Sequence, residues 1–520
     1  MLSDRAALAV WAMMAAYAAV FSWLSVLRYR GFSTGRFDLG NMVQAVWSTS
    51  EGRLLETTDI TGRQFSRLGA HVDPVLVLFA PLWWVWSSPE MLLVAQALIV
   101  ATGALPAFWL GRRWLGDDRL ALAGAAAYLL YPAVQHATLF DFHPVTLAAP
   151  LLLFCIWAAE EARWVTLGVC AALAALCQEQ VGLLIAALAV WLWFRHPGRR
   201  RAAAILGASA LAWVATAVLV IMPAFALQSS NAHIGRYSRL GDSPREIALT
   251  FLTRPWEAVA IIATPGRLTY LLALLLPLLL LPLAAPMLAL VGLPQLTINL
   301  FASTGPAQTV DYHYAILLAP VLVAASMLGL ARIRAGERGE GLQALAGRTR
   351  WVAGALVGAV LAAGIVQGPL PLWGWIPGAW DGSPRNAFTM DPQARAMAEA
   401  VALVPDDAVV AATNNAGSHL SARRRILLLP RLGNADWALL GDGPRLRAMA
   451  LDRPTLRLQP KPGDVYTIGL RARARQLLTS RKWALVYERN GVKLYRRVAS
   501  IPGAPPPVAQ AEPETPRSRS

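Results

Sequence analysis

The chain has 520 residues, of which 56% are hydrophobic and 15% charged, and its formal net charge is +16. So apolar a composition excludes one or two ordinary soluble domains, and repeated uncharged runs indicate a helical protein that crosses a membrane several times. The arginines cluster in short loops between these runs, which is a topogenic signal, so the positive charge does not predict a nucleic-acid partner. The cysteines lie inside apolar runs and predict neither disulfides nor a zinc site: Cys155, Cys170 and Cys177.

The first 367 residues predict about eleven membrane spans. The first is 5–27, and the others are 90–110, 118–134, 144–159, 164–177, 181–194, 202–227, 267–283, 285–302, 312–333 and 351–367. With this count the basic loops at Arg112-Arg113, at Arg163, from Arg195 to Arg201 and from Arg332 to Arg350 all fall on the cytoplasmic side, as the positive-inside rule requires. The N-terminus is then cytoplasmic, and everything after the last span lies outside.

A polar segment of high charge density, residues 28–74, follows the first span. Asp38 or Asn41 is predicted to cap a helix that runs to about Ser50 and lies along the membrane interface. The next apolar piece, 75–86, is too short to cross a bilayer and predicts an interfacial or re-entrant segment. Residues 28–89 are therefore expected to form one large outer loop.

After the last span, residues 368–500 have the composition of a small soluble α/β domain. Its predicted elements are a helix from Asp391 to about Leu403, strands at 408–412 and 426–429, and a hairpin that turns at Asn490-Gly491. The Pro-, Ala- and Ser-rich residues 501–520 are predicted to be disordered.

Asp38 is the first candidate catalytic residue, because it lies just outside the first span with Arg28, Arg30 and Arg36 nearby. A carboxylate at a membrane boundary can take a proton from a hydroxyl while guanidinium groups hold a phosphate. The structural alternative is a helix N-cap in a solvated loop. The spacing alone leaves both interpretations open.

Two segments pair a histidine with an aspartate two residues away and end in proline: His71-Val72-Asp73-Pro74 and Asp141-Phe142-His143-Pro144. The two pairs can complete the shell of one divalent cation. They can equally hydrogen-bond an acceptor sugar, or each aspartate can cap the helix that its proline begins. We expect substrate contacts and no cofactor, with the divalent metal and the caps as alternatives.

Further polar residues interrupt apolar sequence. Glu179 lies between two glutamines near membrane depth, where an ionisable group costs about 2.5–3.5 kcal/mol, so it is either functional or part of a plain turn. Arg236 and Tyr237 belong to RYSRLG, a weak indication of a phosphate clamp, since arginine binds phosphate oxygens bidentately. His313 follows Asp311-Tyr312 and is either a substrate contact or part of an aromatic belt.

Several of these segments together resemble a known family. It is a bacterial family of predicted membrane proteins, domain of unknown function 2079, and the resemblance covers most of residues 20–500. The segments are RYRGFSTGRFDLGNMVQAVW, GAHVDPVLVLFAPLW, LFDFHP, CQEQVG, RYSRLGDSP and VAATNNAGSHLS. That family is similar in layout to the GT-C superfamily of integral-membrane glycosyltransferases. The resemblance implies an outward-facing cavity, a polyprenyl-phosphate sugar donor and a catalytic aspartate soon after the first span, where Asp38 stands.

Two departures separate this chain from one subgroup of that superfamily. His71-Val72-Asp73-Pro74 stands where the protein O-mannosyltransferases carry a His-Pro-Pro element. There is also no Asp-Glu pair at Asp38.

The predicted protein is a GT-C-like glycosyltransferase in the bacterial cytoplasmic membrane. On the outer face of the bilayer it would move a sugar from a polyprenyl-phosphate donor to a glycan, lipid or protein acceptor, with inversion and with Asp38 as general base. Arginine neutralises the leaving phosphate, so no metal is required. The expected substrate-binding residues are Arg36, His71, Asp73, Asp141, His143, Glu179, Arg236, Tyr237 and His313. The alternatives are a transporter or flippase of lipid-linked glycans, with broken helices and half-repeats, or a non-catalytic envelope-assembly protein.

Overall fold

Helices make up most of the described chain, because a helix satisfies its backbone N–H and C=O groups internally and so suits long uncharged runs. The computed structural model describes residues 2–227, 234–303, 305–372, 385–441, 473, 476–477 and 479–498. Up to residue 372 the α-helices are α1 (Leu2–Arg30), α2 (Asn41–Ser50), α3 (Ala80–Val85), α4 (Pro89–Ala101), α5 (Ala104–Leu115), α6 (Asp118–Leu130), α7 (Pro132–Leu139), α8 (Pro144–Glu160), α9 (Trp164–Ala175), α10 (Val181–Arg195), α11 (Arg200–Thr216), α12 (Met222–Phe225), α13 (Pro244–Thr253), α14 (Pro255–Ile262), α15 (Pro265–Leu275), α16 (Pro286–Ala289), α17 (Leu293–Phe301), α18 (Leu318–Arg334), α19 (Glu340–Ala346) and α20 (Thr349–Gln367).

Within the described residues, four helices are long and apolar enough to cross a membrane. They are Arg5–Arg30, Pro89–Leu115, Pro197–Phe225 and Thr349–Gln367. A pair of helices bent by 69°, Pro255–Ile262 with Pro265–Leu278, gives a fifth if it is counted as one span. These long helices make the protein a polytopic helical membrane protein. The other apolar helices are shorter, so the count of about eleven spans remains a prediction.

Ion pairs join helix ends in two groups. Arg30 at the end of α1 pairs with Glu90 at the start of α4, with 2.7 Å between Nε and Oε1. Glu160, the last residue of α8, pairs with Arg113 of α5 and Arg195 of α10, each at 3.3 Å. Since Arg113 and Arg195 belong to predicted cytoplasmic loops, this second group fits the predicted alternation of the helices.

The loop between α1 and α4, residues 31–88 and hereafter the first loop, is folded. A short π-helix, Arg36–Gly40, continues into α2, and a hairpin of β1 (Glu56–Thr58) and β2 (Gln64–Ser66), absent from the sequence prediction, follows. One face of α2 packs into the bundle core. Gln44, on the other face, donates to the backbone carbonyl of Arg423, 3.0 Å away. The predicted interfacial helix is therefore enclosed by protein on two sides.

The C-terminal region contains a five-stranded mixed sheet. Its elements are α21 (Pro392–Ala402), β3 (Val410–Ala412), α22 (Asn414–Gly417), β4 (Ile426–Leu428), β5 (Trp437–Gly441), β6 (Trp483–Arg489) and β7 (Val492–Arg497). The strand order is β4-β3-β5-β7-β6, with β3 parallel to β4 and β5, and β7 antiparallel to its neighbours. These elements and the loops between them are called the C-terminal domain below.

The local sequence predictions for this domain are confirmed. Asp391 accepts a hydrogen bond from the amide of Ala394 and so caps α21. Asn490 and Gly491 both have positive φ, +48° and +75°, as a type I′ hairpin turn requires. Both predicted strands are present, at β3 and β4, although each is shorter than predicted. The predicted disordered tail, 501–520, lies outside the described residues.

The C-terminal domain is docked on the end of α1. The His419 ring stacks between the rings of Tyr29 and Phe32, with centroids 4.0 and 3.8 Å away. Burial lowers the pKa of His419 to about 3, so the ring is neutral and its Nε2 donates to the carbonyl of Tyr29, 2.9 Å away. At the end of α1 the domain is therefore held by buried, uncharged contacts.

Gly329 provides a test of the bundle packing. It lies in α18, a buried helix, where a methyl group at its Cα would overlap the carbonyl oxygen of Leu281. We expect Gly329→Ala to lower the free energy of unfolding by about 1–3 kcal/mol, because backbone atoms have little room to move. Thermal unfolding of the detergent-solubilised protein measures this change. Gly358→Ala on α20, where a Cβ meets nothing within 4 Å, is the control and should leave the midpoint unchanged or slightly raised. Equal midpoints for both variants would contradict the close contact.

Candidate functional site

Asp38 lies on the π-helix of the first loop, next to the start of α8. Its side chain is 25% exposed, and its Oδ1 is 3.3 Å from Nε2 of the buried His143. The other ring nitrogen, Nδ1, is 3.1 Å from the carbonyl oxygen of Phe140. A carbonyl only accepts, so Nδ1 carries a hydrogen and donates it. Nε2 is thus the ring nitrogen that faces Asp38.

Asp141 holds the segment that carries Asp38. Its buried carboxylate accepts hydrogen bonds from the amides of Gly35 at 2.8 Å and Leu39 at 3.5 Å. These amides belong to the start of the π-helix, where backbone donors otherwise lack partners and a negative charge is stabilised. Asp141 is thus a helix cap, but of the first loop and not of α8. The alternative that Asp141 caps a helix is therefore confirmed, but the helix is the π-helix of the first loop and not the one that Pro144 begins.

The pKa of Asp141 reflects competing effects. Burial raises it, and the nearby charge of Asp38 raises it further. The charge of Arg28, the hydrogen bond from the Gly35 amide and the charge of His143 lower it, but the net shift is upward. Arg28 therefore belongs to the electrostatic surroundings of the site.

Gln96 of α4 fixes the turn that contains Asp141 and His143. Its Oε1 accepts from the amide of His143 at 2.9 Å, and its Nε2 donates to the carbonyl of Asp141 at 2.7 Å. The side chain is fully buried and also reaches the carbonyl of Thr138. The sequence analysis missed this residue. The available signal was a single amide inside the apolar run of α4, because a buried amide requires partners.

His313 and Arg236 lie on the far side of His143. The rings of His313 and His143 stack with 3.7 Å between centroids. Charges on His143, His71 and Arg236 all act on His313, so these residues surround it. Among the described residues, the buried Nδ1 of His313 has no hydrogen-bond partner, and the Arg236 guanidinium has neither a hydrogen bond nor an ion pair. The site thus has a histidine pair beside a cation available for a ligand.

Glu179 links the turn between α9 and α10 to the first loop. Its Oε1 is 3.1 Å from Nδ1 of His71, and its Oε2 accepts from the amide of Val72 at 2.9 Å. Burial alone would raise the pKa of Glu179, but the charge of His71 and these hydrogen bonds lower it to about 2. Glu179 is therefore an ionised anchor and more than a plain turn residue.

Asp73 forms an ion pair with Arg67. Its Oδ2 accepts from Nε of Arg67 at 2.7 Å, and the carboxylate is buried. Among the described residues, no three His, Cys, Asp or Glu side chains come together at metal-binding spacing. The geometry therefore does not assemble the two His–Asp pairs around one cation.

Arg36 differs from the sequence prediction. It is 1% exposed, and its Nη2 donates to the backbone carbonyls of Thr58 and of Ile426, the latter at 3.2 Å. Burial lowers its pKa to about 10. These contacts favour a structural link between the first loop and the C-terminal domain over the predicted phosphate contact. Tyr237 likewise packs against the bundle core, beside Arg236.

The fold and the site define a polytopic helical membrane protein with an Asp–His site at one end of its bundle. The family model for predicted membrane proteins named DUF2079 matches residues 28–494, and the chain belongs to that family.

Two solved structures of ArnT from Cupriavidus metallidurans are similar to this chain. One is bound to undecaprenyl phosphate and has a TM-score of 0.48, and the other is in the apo state and has a TM-score of 0.49. Both are 12% identical in sequence, with 94% of this chain and 98% of ArnT covered. These TM-scores are too low for either match to establish a shared fold. A comparison with curated proteins returned no match.

The raised pKa of Asp141 predicts a pH dependence of stability. A carboxyl group that binds its proton more tightly in the folded state stabilises the fold most below its ordinary pKa of about 3.9, and loses this contribution as the pH rises through the raised value. Asp141→Asn removes the titration and keeps an oxygen acceptor. We expect the free energy of unfolding of the wild type, relative to this variant, to fall as the pH rises above about 4. Thermal unfolding of both proteins in one detergent tests this, and a difference that grows with pH would contradict it.

Proposed function

We propose that this protein is an inverting membrane glycosyltransferase of the GT-C type, with Asp38 as its general base. The observation that carries the proposal is the contact between Asp38 and His143. A partly exposed carboxylate lies 3.3 Å from a buried histidine at the end of an apolar bundle. Arg236, whose guanidinium has no hydrogen bond or ion pair among the described residues, acts electrostatically on the neighbouring His313. Acid–base groups and a cation at the membrane boundary are what transfer from a lipid phosphate requires.

In the proposed reaction an acceptor hydroxyl attacks the anomeric carbon of a polyprenyl-phosphate sugar. The new carbon–oxygen bond forms while the bond to the phosphate oxygen breaks, and the phosphate leaves with that electron pair. The hydroxyl proton passes to the carboxylate of Asp38. Attack from the face opposite the phosphate inverts the anomeric centre. His143, held by the carbonyl of Phe140, orients the carboxylate as the third group of a triad orients its base.

Arg236 is the proposed ligand of the donor phosphate. A guanidinium matches phosphate oxygens bidentately and neutralises their charge as the bond breaks, so the step needs no metal. Arg236 replaces Arg36 in this role, because the guanidinium of Arg36 is bound to backbone carbonyls. His71 and Glu179, both partly exposed, are proposed to bind the acceptor, a glycan, lipid or protein.

We also propose an orientation in the membrane, which follows from the positive-inside rule. The N-terminus is cytoplasmic, and the Asp38 site and the C-terminal domain lie on the outer face of a bacterial cytoplasmic membrane. The lipid donor would reach Arg236 from within the bilayer, with its phosphate at headgroup depth.

A flippase of lipid-linked glycans is the second candidate. One observation favours it, the 69° bend between Pro255–Ile262 and Pro265–Leu278, since transporters build their sites at broken helices. A flippase predicts movement of labelled lipid-linked glycan across proteoliposome membranes without transfer of the sugar. The transfer assay below separates the two functions.

Asp38→Asn tests the general base. In proteoliposomes with a panel of labelled polyprenyl-phosphate sugars, we expect kcat to fall at least about 100-fold, because an amide cannot take the hydroxyl proton. Glu51→Gln, at an exposed position of the same loop, is the control and should retain wild-type activity. Full activity of Asp38→Asn would rule out the assigned base.

Arg236→Ala tests the phosphate contact. We expect kcat/KM for the donor to fall about 100- to 1,000-fold, and Arg236→Lys to fall less, because lysine keeps the charge and loses the bidentate geometry. Arg239→Ala, an exposed arginine three residues further along, is the control and should change little. If Arg236→Ala and Arg239→Ala behave alike, Arg236 does not bind the phosphate.

A further inference from the structure

The helix start that carries Asp38 has no cap of its own. The π-helix Arg36–Gly40 begins after Gly35, which has no side chain to accept a hydrogen bond. One oxygen of Asp141, Oδ2, accepts from the amides of Gly35 and Leu39. A second acceptor comes from the C-terminal domain, where Oδ1 of Asn414 accepts from the amide of Phe37 at 3.2 Å. The residue before Asp38 is therefore held by a side chain 377 positions further along the chain.

Asn414 stands on a rigid element. It begins α22, two residues after β3, and β3 is a parallel strand flanked by β4 and β5. This is the carboxyl-terminal edge of the parallel strands, the edge at which open α/β sheets present their functional groups. Here that edge faces the first loop, and Asn414 is presented to it from the sheet rather than from a hinge.

Glycines let the two segments approach closely. A Cβ on Gly35 would lie 2.9 Å from Nδ2 of Asn414, and a Cβ on Gly40 would lie 2.6 Å from Oγ of Ser421. On the opposite side, a Cβ on Gly417 would lie 2.6 Å from Cβ of Arg36. A side chain at any of these three positions would collide with the other segment, so a side chain or the backbone would have to shift.

Buried polar contacts flank the bond between Asn414 and Phe37. On one side the hydroxyls of Thr34 and Ser418 are 2.9 Å apart. On the other side Arg36 donates to the carbonyl of Ile426. Buried polar groups are costly to leave without partners, so these contacts oppose undocking of the domain. The bond to Phe37 is thus formed within a fixed interface.

Both peptide groups of Phe37 are restrained. Its amide donates to Asn414, and its carbonyl accepts from Nδ2 of Asn41 at 2.7 Å. The carbonyl of Phe37 belongs to the peptide plane that precedes the Cα of Asp38, so these two bonds restrain the backbone from which the Asp38 side chain projects. A displacement of about 1 Å at a reacting group can cost a factor of about 100 in rate, so a restraint one residue away from the base affects catalysis.

We propose that Asn414 is a positioning residue for Asp38, and that the C-terminal domain thereby completes the site. The inference rests on the proposed function, because it assumes that Asp38 acts on the substrate. Asn414 itself does not touch the reacting atoms. It acts through the backbone of Phe37.

The first arm of the test measures transfer. In proteoliposomes of the full chain, we expect Asn414→Ala to lower kcat at least about 10-fold while the donor KM stays within about twofold, since alignment and not binding is lost. Asn414→Asp keeps an oxygen acceptor and should restore most of kcat. Asn415→Ala, at the neighbouring partly exposed asparagine, is the matched control and should resemble the wild type.

The second arm does not depend on activity. Hydrogen exchange of peptides that contain Phe37 should be about 10-fold faster in Asn414→Ala than in the wild type, and unchanged in Asn414→Asp, because only the first loses the acceptor. If the wild type transfers no sugar from any donor, the proposed function fails, and this arm still tests the contact.

Two outcomes overturn the proposal. One is unchanged exchange at Phe37 in a folded Asn414→Ala protein, and the other is faster exchange with an unchanged kcat. Thermal unfolding midpoints report whether each variant is folded. If Asn414→Ala does not fold, Asn414→Asp provides the test. The proposal is overturned if Asn414→Asp has the midpoint and the exchange rate of the wild type and yet loses kcat.

Discussion

The hydrogen bond between the Asp141 carboxylate and the Gly35 amide joins the two sequence motifs from which the site is built. It lies at the start of a helix, where unpaired backbone donors and the helix dipole favour a negative charge. Gln96 in turn fixes the backbone of Asp141 and His143. The distance between Asp38 and His143 therefore depends on a chain of buried hydrogen bonds, and not on the flexibility of a surface loop. Because each of these groups is buried, loss of one partner leaves another without a hydrogen bond.

A second cluster of polar side chains lies at the other end of α8. Glu160 accepts hydrogen bonds from Trp114 at 3.1 Å and His196 at 3.0 Å, in addition to its pairs with two arginines. Burial alone would raise the pKa of Glu160, but these donors lower it, so the group stays charged. The helix has 17 residues, which at about 1.5 Å per residue separates the two polar clusters by about 25 Å. One end of this apolar helix thus carries a charged group with several hydrogen-bond and ion-pair partners. The cluster at the other end, with Asp38 and Arg236, is partly exposed.

Local sequence signals were sufficient to predict those structures that depend only on neighbouring residues. The turn at Asn490-Gly491 and the cap at Asp391 depend on the residues themselves, and both were predicted from a few neighbours. Asp38 was predicted to be the base because a carboxylate at a membrane boundary can take a proton while nearby arginines hold a phosphate. Arg36 was predicted to bind a phosphate because of its charge, but its guanidinium donates to backbone carbonyls 22 and 390 positions away, which favours a structural role. No periodicity or spacing encodes such a contact, and the acceptor supplied by Asn414 was missed on the same ground.

Two carboxylates that influence each other, Asp38 and Asp141, have different tasks because their surroundings differ. Asp141 is buried, and the charge of Asp38 helps to raise its pKa. Asp38 is partly exposed and contacts a histidine whose second nitrogen is already bonded to a carbonyl. Like charges at close range push two pKa values apart, so one member of such a pair can remain a base while the other keeps a structural role. In this site the more exposed member contacts the histidine, and the buried member accepts hydrogen bonds from backbone amides. The chemistry is therefore expected at Asp38, and Asp141 is its support.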